Sequence, residues 1–467
     1  MKTIHPDAFS QLLALQMLNI SCNHLEIIPR FPRNLRIIDL RYNNIIYLDS
    51  DTFRGMSILL GLSLMVNRLT VLPEDAFVTN FNLQILDLAS NNISSVKHHI
   101  FPSVSKLERL TLFNNSISVI GSFTNKQFPN LIVLQLSNNS LATLPPGNIE
   151  ASFPDSIQAL NLSWNRIQFI PYDVLKLPNI RDIDLRMNRI ATLSRETLKV
   201  ARQNTMPVNY YLSGNPFSCD CNLAWLKEAP HIQTSVFDDS YIIRDLSSLY
   251  CEKVHRHEPG LMKDFPTSWF LCTYTVRCLD SCECCGDEEC ICRSTCPKNC
   301  KCYQNYKQKV DIVDCMGKKL QSIPQDISAN CTILDLSGNN FSTIIAGTFK
   351  ALSHLKELYL NYSHIHEIKE GTFTGLSNLS VLNLGYNFLH NLNTAMFKDL
   401  HRLKYLTISF NKIRRIEERS FDTLTNLQYL DLSDNEIKTM SKNEFTRLSK
   451  VGSLKLAGNH WSCDCQY

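Results

Sequence analysis

The sequence predicts an α/β solenoid, in which short repeats stack into two arrays separated by a cysteine-rich segment. One template, Leu-x-x-Leu-x-Leu-x-x-Asn-x-Leu, recurs along most of the 467 residues, usually at a spacing of 24. Within it the leucines alternate as in a strand with one buried face. One repeat cannot bury these leucines alone, so neighbouring repeats must stack into a continuous core. Most of the 18 cysteines lie between the two arrays.

The first array is expected to span residues 1–215. Its first clear repeat and the later Asn positions of the template are Leu15, Leu18, Ile20, Asn23, Leu25, Asn43, Asn67, Asn91, Asn115, Asn139, Asn165, Asn188 and Asn215. We expect each of these Asn side chains to be buried in the turn after its strand. There its amide can donate to and accept from backbone groups of adjacent turns, so the side chains would form a ladder.

The second array repeats every 24 residues without exception. Its template positions are Asn339, Ser363, Asn387, Asn411, Asn435 and Asn459. Ser363 is the one departure from Asn. In both arrays a Phe stands 14 residues before the template position, and we expect these rings to stack as an apolar spine on the convex side. They are Phe9, Phe53, Phe77, Phe101, Phe349, Phe373, Phe397, Phe421 and Phe445.

This template is that of the leucine-rich repeat, and a helical bundle is a poor alternative. The leucines recur at intervals of three, two and five residues, which do not form a helical stripe. The predicted fold is therefore a leucine-rich-repeat solenoid with two horseshoe-like arrays. Curved parallel sheets line the concave faces, and disulfide-rich caps join the arrays.

Composition and sequons favour the secretory pathway. The formal net charge is only +3, without blocks of like charge that would indicate a nucleic-acid site. Nine Asn-x-Ser/Thr sequons accompany the clustered cysteines, a combination typical of extracellular proteins. These glycosylation candidates are Asn19, Asn92, Asn114, Asn138, Asn161, Asn330, Asn340, Asn361 and Asn378.

Residues 1–20 lack the pattern of a secretory leader, and no apolar run is long enough to span a membrane. We therefore expect the chain to be an extracellular fragment, truncated before its first repeat. The motif Cys463-Asp464-Cys465 near the other end resembles the start of a second cap. Its two cysteines are expected to be unpaired, because their usual partners are missing.

The segment after Asn215 resembles the C-terminal flanking cap of extracellular leucine-rich-repeat proteins. It reads Pro216-Phe217-Ser218-Cys219-Asp220-Cys221-Asn222-Leu223-Ala224-Trp225-Leu226, followed by Cys251 and Cys272. The resemblance implies the pairs Cys219–Cys251 and Cys221–Cys272. It also implies that Leu223, Trp225 and Leu226 cover the end of the core.

A second segment resembles the N-terminal flanking cap of the same superfamily. It contains Cys296-Pro297-Lys298-Asn299-Cys300-Lys301-Cys302, Val313-Asp314-Cys315, Leu320 and Ile323-Pro324. The resemblance implies the pairs Cys296–Cys302 and Cys300–Cys315. Six further cysteines lie between the caps and allow 15 disulfide pairings, which we leave open. They are Cys278, Cys282, Cys284, Cys285, Cys290 and Cys292.

Metal binding and catalysis are weaker interpretations of the cysteines. Their spacing lacks the repeated Cys-x-x-Cys of zinc modules, and disulfides are favoured in an oxidising compartment. The 13 histidines are scattered, without the partners that a cysteine nucleophile needs. We predict no enzyme activity, metal or cofactor. Cys22 and Cys331 lie outside every framework; each is interpreted as a small side chain beside a strand, with a local bridge as an alternative for Cys331.

These boundaries predict six segments. They are the first array (1–215), its C-terminal cap (216–273), a cysteine-rich insert (274–295), the N-terminal cap of the second array (296–331), the second array (332–458) and the start of a second C-terminal cap (459–467).

This order of segments resembles the extracellular region of invertebrate Toll receptors of the multiple-cysteine-cluster type. The segment from Phe270 to Cys302 is similar to the Tollo subgroup in particular. The resemblance implies a single-pass cell-surface receptor that signals in innate immunity or development. It further implies a Spätzle-like cystine-knot protein as ligand, and receptor homo- or heterodimerisation. The alternative is a Slit-like secreted guidance or adhesion protein, which also passes from C-terminal to N-terminal cap but fits the six extra cysteines poorly.

The outward-facing positions of the strands form the usual binding surface of a solenoid. In the first array several sequons fall on this face, whereas the second array has only Asn361 there. Aromatic residues occupy the position just before the template Asn in three successive repeats, with others nearby. The predicted partner-binding patch comprises Tyr359, Tyr362, Tyr386, Tyr405, Phe410 and Tyr429. The alternative is that these aromatic rings only pack against each other at the strand edge.

Overall fold

The computed structural model describes eleven stretches of the chain. They are residues 1–9, 11–121, 123–144, 153–170, 177–198, 207–228, 241–255, 258–278, 293–305, 307–392 and 395–462. The chain divides into two compact units, Met1–Phe270 and Leu271–Tyr467. Each unit is built on one long sheet of short strands, which confirms the predicted solenoid. In the described stretches, no helix combines the length and apolar character needed to cross a membrane.

The first unit contains a ten-stranded parallel sheet, in which nine strands belong to the nine repeats and the tenth, Tyr241–Ile243, lies in the segment of the first cap. Equivalent positions pair in register, so that Leu62, Leu86 and Leu110 stand in one buried row. The strands are Met17–Asn19, Ile37–Asp39, Gly61–Ser63, Ile85–Asp87, Arg109–Thr111, Val133–Gln135, Ala159–Asn161, Asp182–Asp184, Val208–Tyr211 and Tyr241–Ile243. The stacked leucines form a continuous core, as a repeat too small to bury its own apolar face requires.

The second unit contains a nine-stranded sheet. Its first two pairings are antiparallel and the others are parallel. The strands are Cys272–Tyr274, Lys301–Asn305, Val310–Asp314, Ile333–Asp335, Glu357–Tyr359, Val381–Asn383, Tyr405–Thr407, Tyr429–Asp431 and Ser453–Lys455. The strand Cys272–Tyr274 belongs to this sheet, so the units divide three residues before the end of the predicted first cap.

Smaller elements complete the caps and the convex sides. The cap of the first unit holds a three-stranded sheet of Phe217–Cys219, Tyr250–Lys253 and Pro259–Leu261. Two-residue strands pair in parallel on the convex side: Ser95–Val96 with Val119–Ile120, Thr343–Ile344 with Glu367–Ile368, and Asn391–Leu392 with Arg415–Ile416. The predicted class is α/β, but the described residues contain little α-helix. The α-helices there are Arg195–Leu198, Trp225–Glu228 and Lys442–Leu448.

The predicted stacking of phenylalanines is present in both arrays. Phe53, Phe77 and Phe101 stack at centroid distances of 5.9 and 6.1 Å. In the second array Phe349 stacks on Phe373 at 6.1 Å, with an interplanar angle of 7°. The expectation is wrong for Phe445, which is 44% exposed, because the chain there forms the helix Lys442–Leu448 instead of an irregular turn.

The predicted ladder is present. Asn67 is typical: its Nδ2 donates to the carbonyl oxygens of Leu40 and Leu64, each at 3.0 Å, and its Oδ1 accepts from the amide of Ile45 at 3.1 Å. The same contacts recur at the template asparagines after Asn23, as at Asn188 in the first array. Each amide thus satisfies backbone groups that the strand leaves unpaired where it ends.

Candidate partner-binding face

The residue immediately before each ladder residue adopts a left-handed backbone conformation. We call this set of positions the turn column. Its members are Cys22, Tyr42, Val66, Ser90, Asn114, Asn138, Trp164, Met187, Gly214, Gly338, Tyr362, Tyr386, Phe410, Asp434 and Gly458, with φ between 52° and 75°. Their amides donate to the next repeat, as from Tyr386 to the carbonyl of Ser409 at 2.8 Å. The solenoid thus imposes a conformation that bulky side chains ordinarily avoid.

Three aromatic rings stack along the turn column of the second array. Tyr362 and Tyr386 lie 4.1 Å apart between centroids, and Tyr386 and Phe410 lie 4.2 Å apart, with interplanar angles of 15° and 10°. The rings remain 52%, 41% and 43% exposed, respectively. We call them the aromatic column. They pack against each other, as the alternative reading expected, and still present an apolar surface to solvent.

A cleft of about 380 Å³ adjoins the aromatic column. Its other wall is Phe388, which sequence reasoning missed because it stands one position after the ladder residue. The imidazole of His366 stacks on Phe388 at 4.9 Å, and the ammonium of Lys412 lies 4.9 Å from the centroid of the same ring. The cleft is lined by aromatic rings together with the polar side chains of His364 and Asn387, a combination suited to binding a protein.

The hydroxyl groups of the column interact as well. A hydrogen bond with Tyr362 raises the pKa of Tyr386, and desolvation adds to this effect. At a given alkaline pH a larger fraction of Tyr386 is therefore protonated than of a free tyrosine.

The other three residues of the predicted patch lie on the strands rather than in the turn column. Tyr405 and Tyr429 are paired in register, with ring centroids 6.3 Å apart, and the Lys455 ammonium lies 5.4 Å from the centroid of Tyr429. Tyr359 occupies a different row and donates its hydroxyl to Glu357 at 2.7 Å. The structure thus divides the six predicted residues into the aromatic column and separate strand positions.

The turn column of the first array is polar at its centre. Asn138 donates to the Oδ1 of Asn114 at 2.7 Å, and Asn114 donates to the hydroxyl of Ser90 at 3.0 Å. Toward the ends, Tyr42 and Trp164 are exposed. Trp164 was not predicted as a surface residue, and its only sequence signal is its position before Asn165.

The predicted glycosylation candidates differ in how their amides are used. The side chain of Asn378 donates to Ser353 and accepts from Arg402, whereas those of Asn114 and Asn138 belong to the turn column. The nine residues divide by exposure: Asn19, Asn92, Asn114, Asn138, Asn330 and Asn340 are exposed, and Asn161, Asn361 and Asn378 are half-buried. Their occupancy stays a prediction.

The caps contain disulfides at the positions that the resemblance implies. Cys219 is bonded to Cys251, with Cα atoms 5.4 Å apart. Cys296–Cys302 and Cys300–Cys315 are bonded at Cα separations of 5.8 and 4.4 Å. Cys221 and Cys272 are each disulfide-bonded, and their pairing with one another stays a prediction.

The three apolar residues expected to cover the end of the first array pack against its core. Leu223 and Leu226 are buried, and Trp225 packs on the core while its indole donates to the carbonyl of Leu193 at 3.0 Å. These three side chains therefore cover apolar residues at the end of the first core.

The remaining cysteines fall into three groups. In the insert, the backbone of Val276–Cys278 pairs antiparallel with Arg293–Thr295. Cys282, Cys284, Cys285, Cys290, Cys292, Cys463 and Cys465 lie outside the described residues, as does the side chain of Cys278. Cys22 carries an exposed free thiol in the turn column. Cys331 is buried, and its thiol donates to the carbonyl of Ile333 at 3.2 Å.

The family model of the leucine-rich repeat matches residues 33–93, 81–141, 329–379, 353–413 and 401–460, which together span more than half of the chain. The chain belongs to the leucine-rich-repeat family. The matched residues include the aromatic column and the ladder of the second array, so the candidate face lies on repeats of this family.

Curated relatives match shorter stretches. Toll-like receptor 7 of Drosophila melanogaster is 29% identical over 213 residues, which are 44% of this chain and 14% of the receptor. Leucine-rich repeat-containing protein 3 of Rattus norvegicus is 36% identical over 75 residues, 16% of this chain and 28% of that protein. The chain thus spans only a minor part of the length of these relatives.

Solved structures with a similar backbone include the complex of Toll with Spatzle from Drosophila. The likeness covers 89% of this chain and 64% of that one, at 18% identity and a TM-score of 0.43. A leucine-rich-repeat protein of Leptospira interrogans is similar over 98% of this chain and 93% of its own, at 21% identity and a TM-score of 0.35.

Proposed function

We propose that this chain is the extracellular ligand-binding region of a Toll-type cell-surface receptor, and that it binds a protein through the aromatic column. The observation that carries the proposal is the stack of Tyr362, Tyr386 and Phe410, whose rings are ordered by one another and still about half exposed. Rigid aromatic side chains lose little conformational entropy on binding and are enriched at interface hot spots.

Two further observations support this assignment. The similarity to Toll-like receptor 7 agrees with the order of caps and cysteines in the sequence. The backbone strands Val276–Cys278 and Arg293–Thr295 pair within the predicted cysteine-rich insert, and the six extra cysteines of that insert fit a Slit-like protein poorly. The finer parts of the proposal are a single-pass receptor of the Tollo subgroup, a cystine-knot ligand, and signalling through receptor dimerisation in immunity or development.

The experiment compares one double variant with one single variant, at rings of similar exposure. Tyr386→Ala with Phe410→Ala removes two rings of the aromatic column, while Tyr42→Ala removes an exposed ring from the same position of the first array. Binding of a purified Spätzle-type cystine-knot protein is measured by surface plasmon resonance. We expect the affinity to fall at least tenfold in the double variant only, about 1.4 kcal/mol of binding free energy.

Circular dichroism and the unfolding midpoint establish that each variant is folded. Unchanged affinity in a folded double variant contradicts the proposed binding face. An equal loss in Tyr42→Ala would show that the ligand does not distinguish the second array from the first.

A further inference from the structure

Ser363 interrupts the ladder in the repeat that also carries a sequon on its outward face. Asn361, Tyr362 and Ser363 form that sequon, and Ser363 stands at the ladder position. Any sequon whose Asn lies two residues before the ladder position must place Ser or Thr in the ladder. The departure from Asn and the sequon are therefore one feature of the sequence.

Serine is the weaker ladder residue. In the next repeat, Nδ2 of Asn387 donates to the carbonyls of Leu360 and Leu384 at 2.9 and 3.0 Å, and its Oδ1 accepts from the amide of Ile365. The single hydroxyl proton of Ser363 is shared between the carbonyls of Leu336 and Asn361, at 3.1 and 3.2 Å, and its oxygen accepts from the amide of Asn339 at 3.4 Å. Asn387 has two amide protons for the equivalent carbonyls.

The backbone compensates for the shorter side chain of Ser363. If an Asn stood at position 363, its Oδ1 would accept a hydrogen bond from the amide of Phe341. In this repeat that amide donates instead to the main-chain oxygen of Ser363 at 2.9 Å. The next residue, His364, adopts a φ of 55°, so two residues around the ladder position are left-handed in this repeat. The fold thus accommodates Ser363 without offering a structural reason for it.

We propose that Asn361 carries an N-linked glycan, that Ser363 occupies the ladder because the sequon requires a hydroxyl there, and that the first sugar packs on the ring of Tyr359. In the transfer, Nδ2 of Asn361 bonds to C1 of a sugar from a lipid-diphosphate-linked oligosaccharide. The bond from C1 to the diphosphate oxygen breaks with its electron pair on the leaving diphosphate, and one amide proton passes to a base of the transferase.

Burial fixes the order of events. Ser363 is fully buried in the folded repeat, so a transferase that must engage its hydroxyl can act only before this repeat folds. The glycan is therefore present when the second array forms.

Strand geometry places Tyr359 beside the glycan. Asn361 lies two residues after Tyr359, the last residue of its strand. At the equivalent positions of an earlier repeat the Arg41 guanidinium donates to the Asp39 carboxylate, which shows that these two positions share a face. The ring of Tyr359 is held by its bond to Glu357, and the neighbouring repeats place only Ser337 and Gly385 level with Asn361. The positive C–H edges of a pyranose can thus pack on the negative face of this ring.

The first test is site occupancy, measured by glycopeptide mass spectrometry on the chain secreted from insect cells. We expect Asn361 to be occupied in the wild type and in Ser363→Thr, and unoccupied in Ser363→Asn. An unoccupied Asn361 in wild-type protein whose exposed Asn340 is occupied overturns the proposal.

The second test separates the sequon from the fold. Ser363→Asn and Asn361→Gln both lack the glycan, and only the first restores a ladder Asn. We expect an unfolding midpoint at least as high in Ser363→Asn as in Asn361→Gln. A lower midpoint would show that Ser363 is required for packing and would overturn its assignment to the sequon.

The third test addresses Tyr359. Enzymatic removal of N-glycans should lower the unfolding midpoint more in the wild type than in Tyr359→Ala, and Asn378→Gln serves as a control lacking a glycan elsewhere on the array. An equal shift in the wild type and Tyr359→Ala rules out the packing of sugar on this ring. None of these outcomes depends on whether the aromatic column binds a protein.

Discussion

The two arrays share one backbone geometry and differ in what they present at the turn column. In the first array its centre is a chain of hydrogen bonds from Asn138 through Asn114 to Ser90. In the second array it is the stack of Tyr362, Tyr386 and Phe410. The φ angles of these six residues all lie between 52° and 58°. The scaffold therefore sets where these side chains stand, and the residue type alone decides whether the surface is polar or apolar.

The largest expected effect lies where the arrays are alike. Phe77→Ala and Phe373→Ala each remove a buried ring of the spine, and each should cost about 3–5 kcal/mol of unfolding free energy. Denaturant unfolding measures the loss, and hydrogen exchange assigns it to an array. Phe445→Ala, at an exposed ring, is the control and should cost much less. A small effect in only one array would show that the two spines are not equivalent.

A smaller loss of unfolding free energy is expected at the ladder, and it should differ between an Asn and the Ser of the second array. Asn91→Ala removes donors to Leu64 and Leu88 and the acceptor for Leu69, and should cost about 2 kcal/mol because partly buried backbone groups lose their partners. Ser363→Ala should cost only about 1 kcal/mol, because Phe341 keeps its bond to the main chain. Both are compared as deglycosylated proteins. Equal losses would contradict the weaker role of Ser363.

The next prediction converts one turn column into the other. Asn tolerates the left-handed conformation better than Tyr, which offsets the lost ring contact in Tyr386→Asn. We expect the unfolding free energy to change by less than about 1 kcal/mol, while the affinity for the protein ligand falls about tenfold. Calorimetry and surface plasmon resonance on the same preparation check both values. A strongly destabilised variant would mean that the stack is structural.

The smallest effect concerns ionisation. The pKa of Tyr386 is raised above its ordinary value of 10.0 by the hydrogen bond with Tyr362, so Tyr362→Phe should lower it again. A raised pKa stabilises the fold below the unfolded pKa, and this contribution is lost as the pH rises through the folded value. Titration of ¹³C-labelled tyrosine by NMR, assigned with Tyr386→Phe, follows the change. Phe410→Leu retains both hydroxyls and should leave the pKa raised.

Much of the scaffold was predictable because each feature repeats. The positions of Asn67 and Phe77 follow from a period of 24 residues, and stacking forces equivalent residues into the same environment. The ladder and the spine needed no knowledge of distant contacts. Phe445 departs from the pattern because the helix Lys442–Leu448 replaces the irregular turn, a local change that periodicity does not reveal.

The candidate site was predictable only in part. Six aromatic residues were recognised by type and spacing, and their separation into the aromatic column and the strand rows was not. Phe388 and Lys412 were missed because each stands one position after a ladder residue. Phe388 lines the cleft beside the aromatic column and Lys412 lies over the Phe388 ring, and both placements depend on how the chain turns.

By itself, the sequence determined that this chain is a leucine-rich-repeat solenoid in two arrays, with Asn at the turn and leucines inside, since short-range periodicity leaves no other way to bury those leucines. The tertiary structure alone decided that the residue before each ladder Asn is left-handed. It also decided that Tyr362, Tyr386 and Phe410 stack while about half exposed. The physical reason is that these properties depend on the turn and on the spacing between neighbouring repeats, which a list of residue types does not contain.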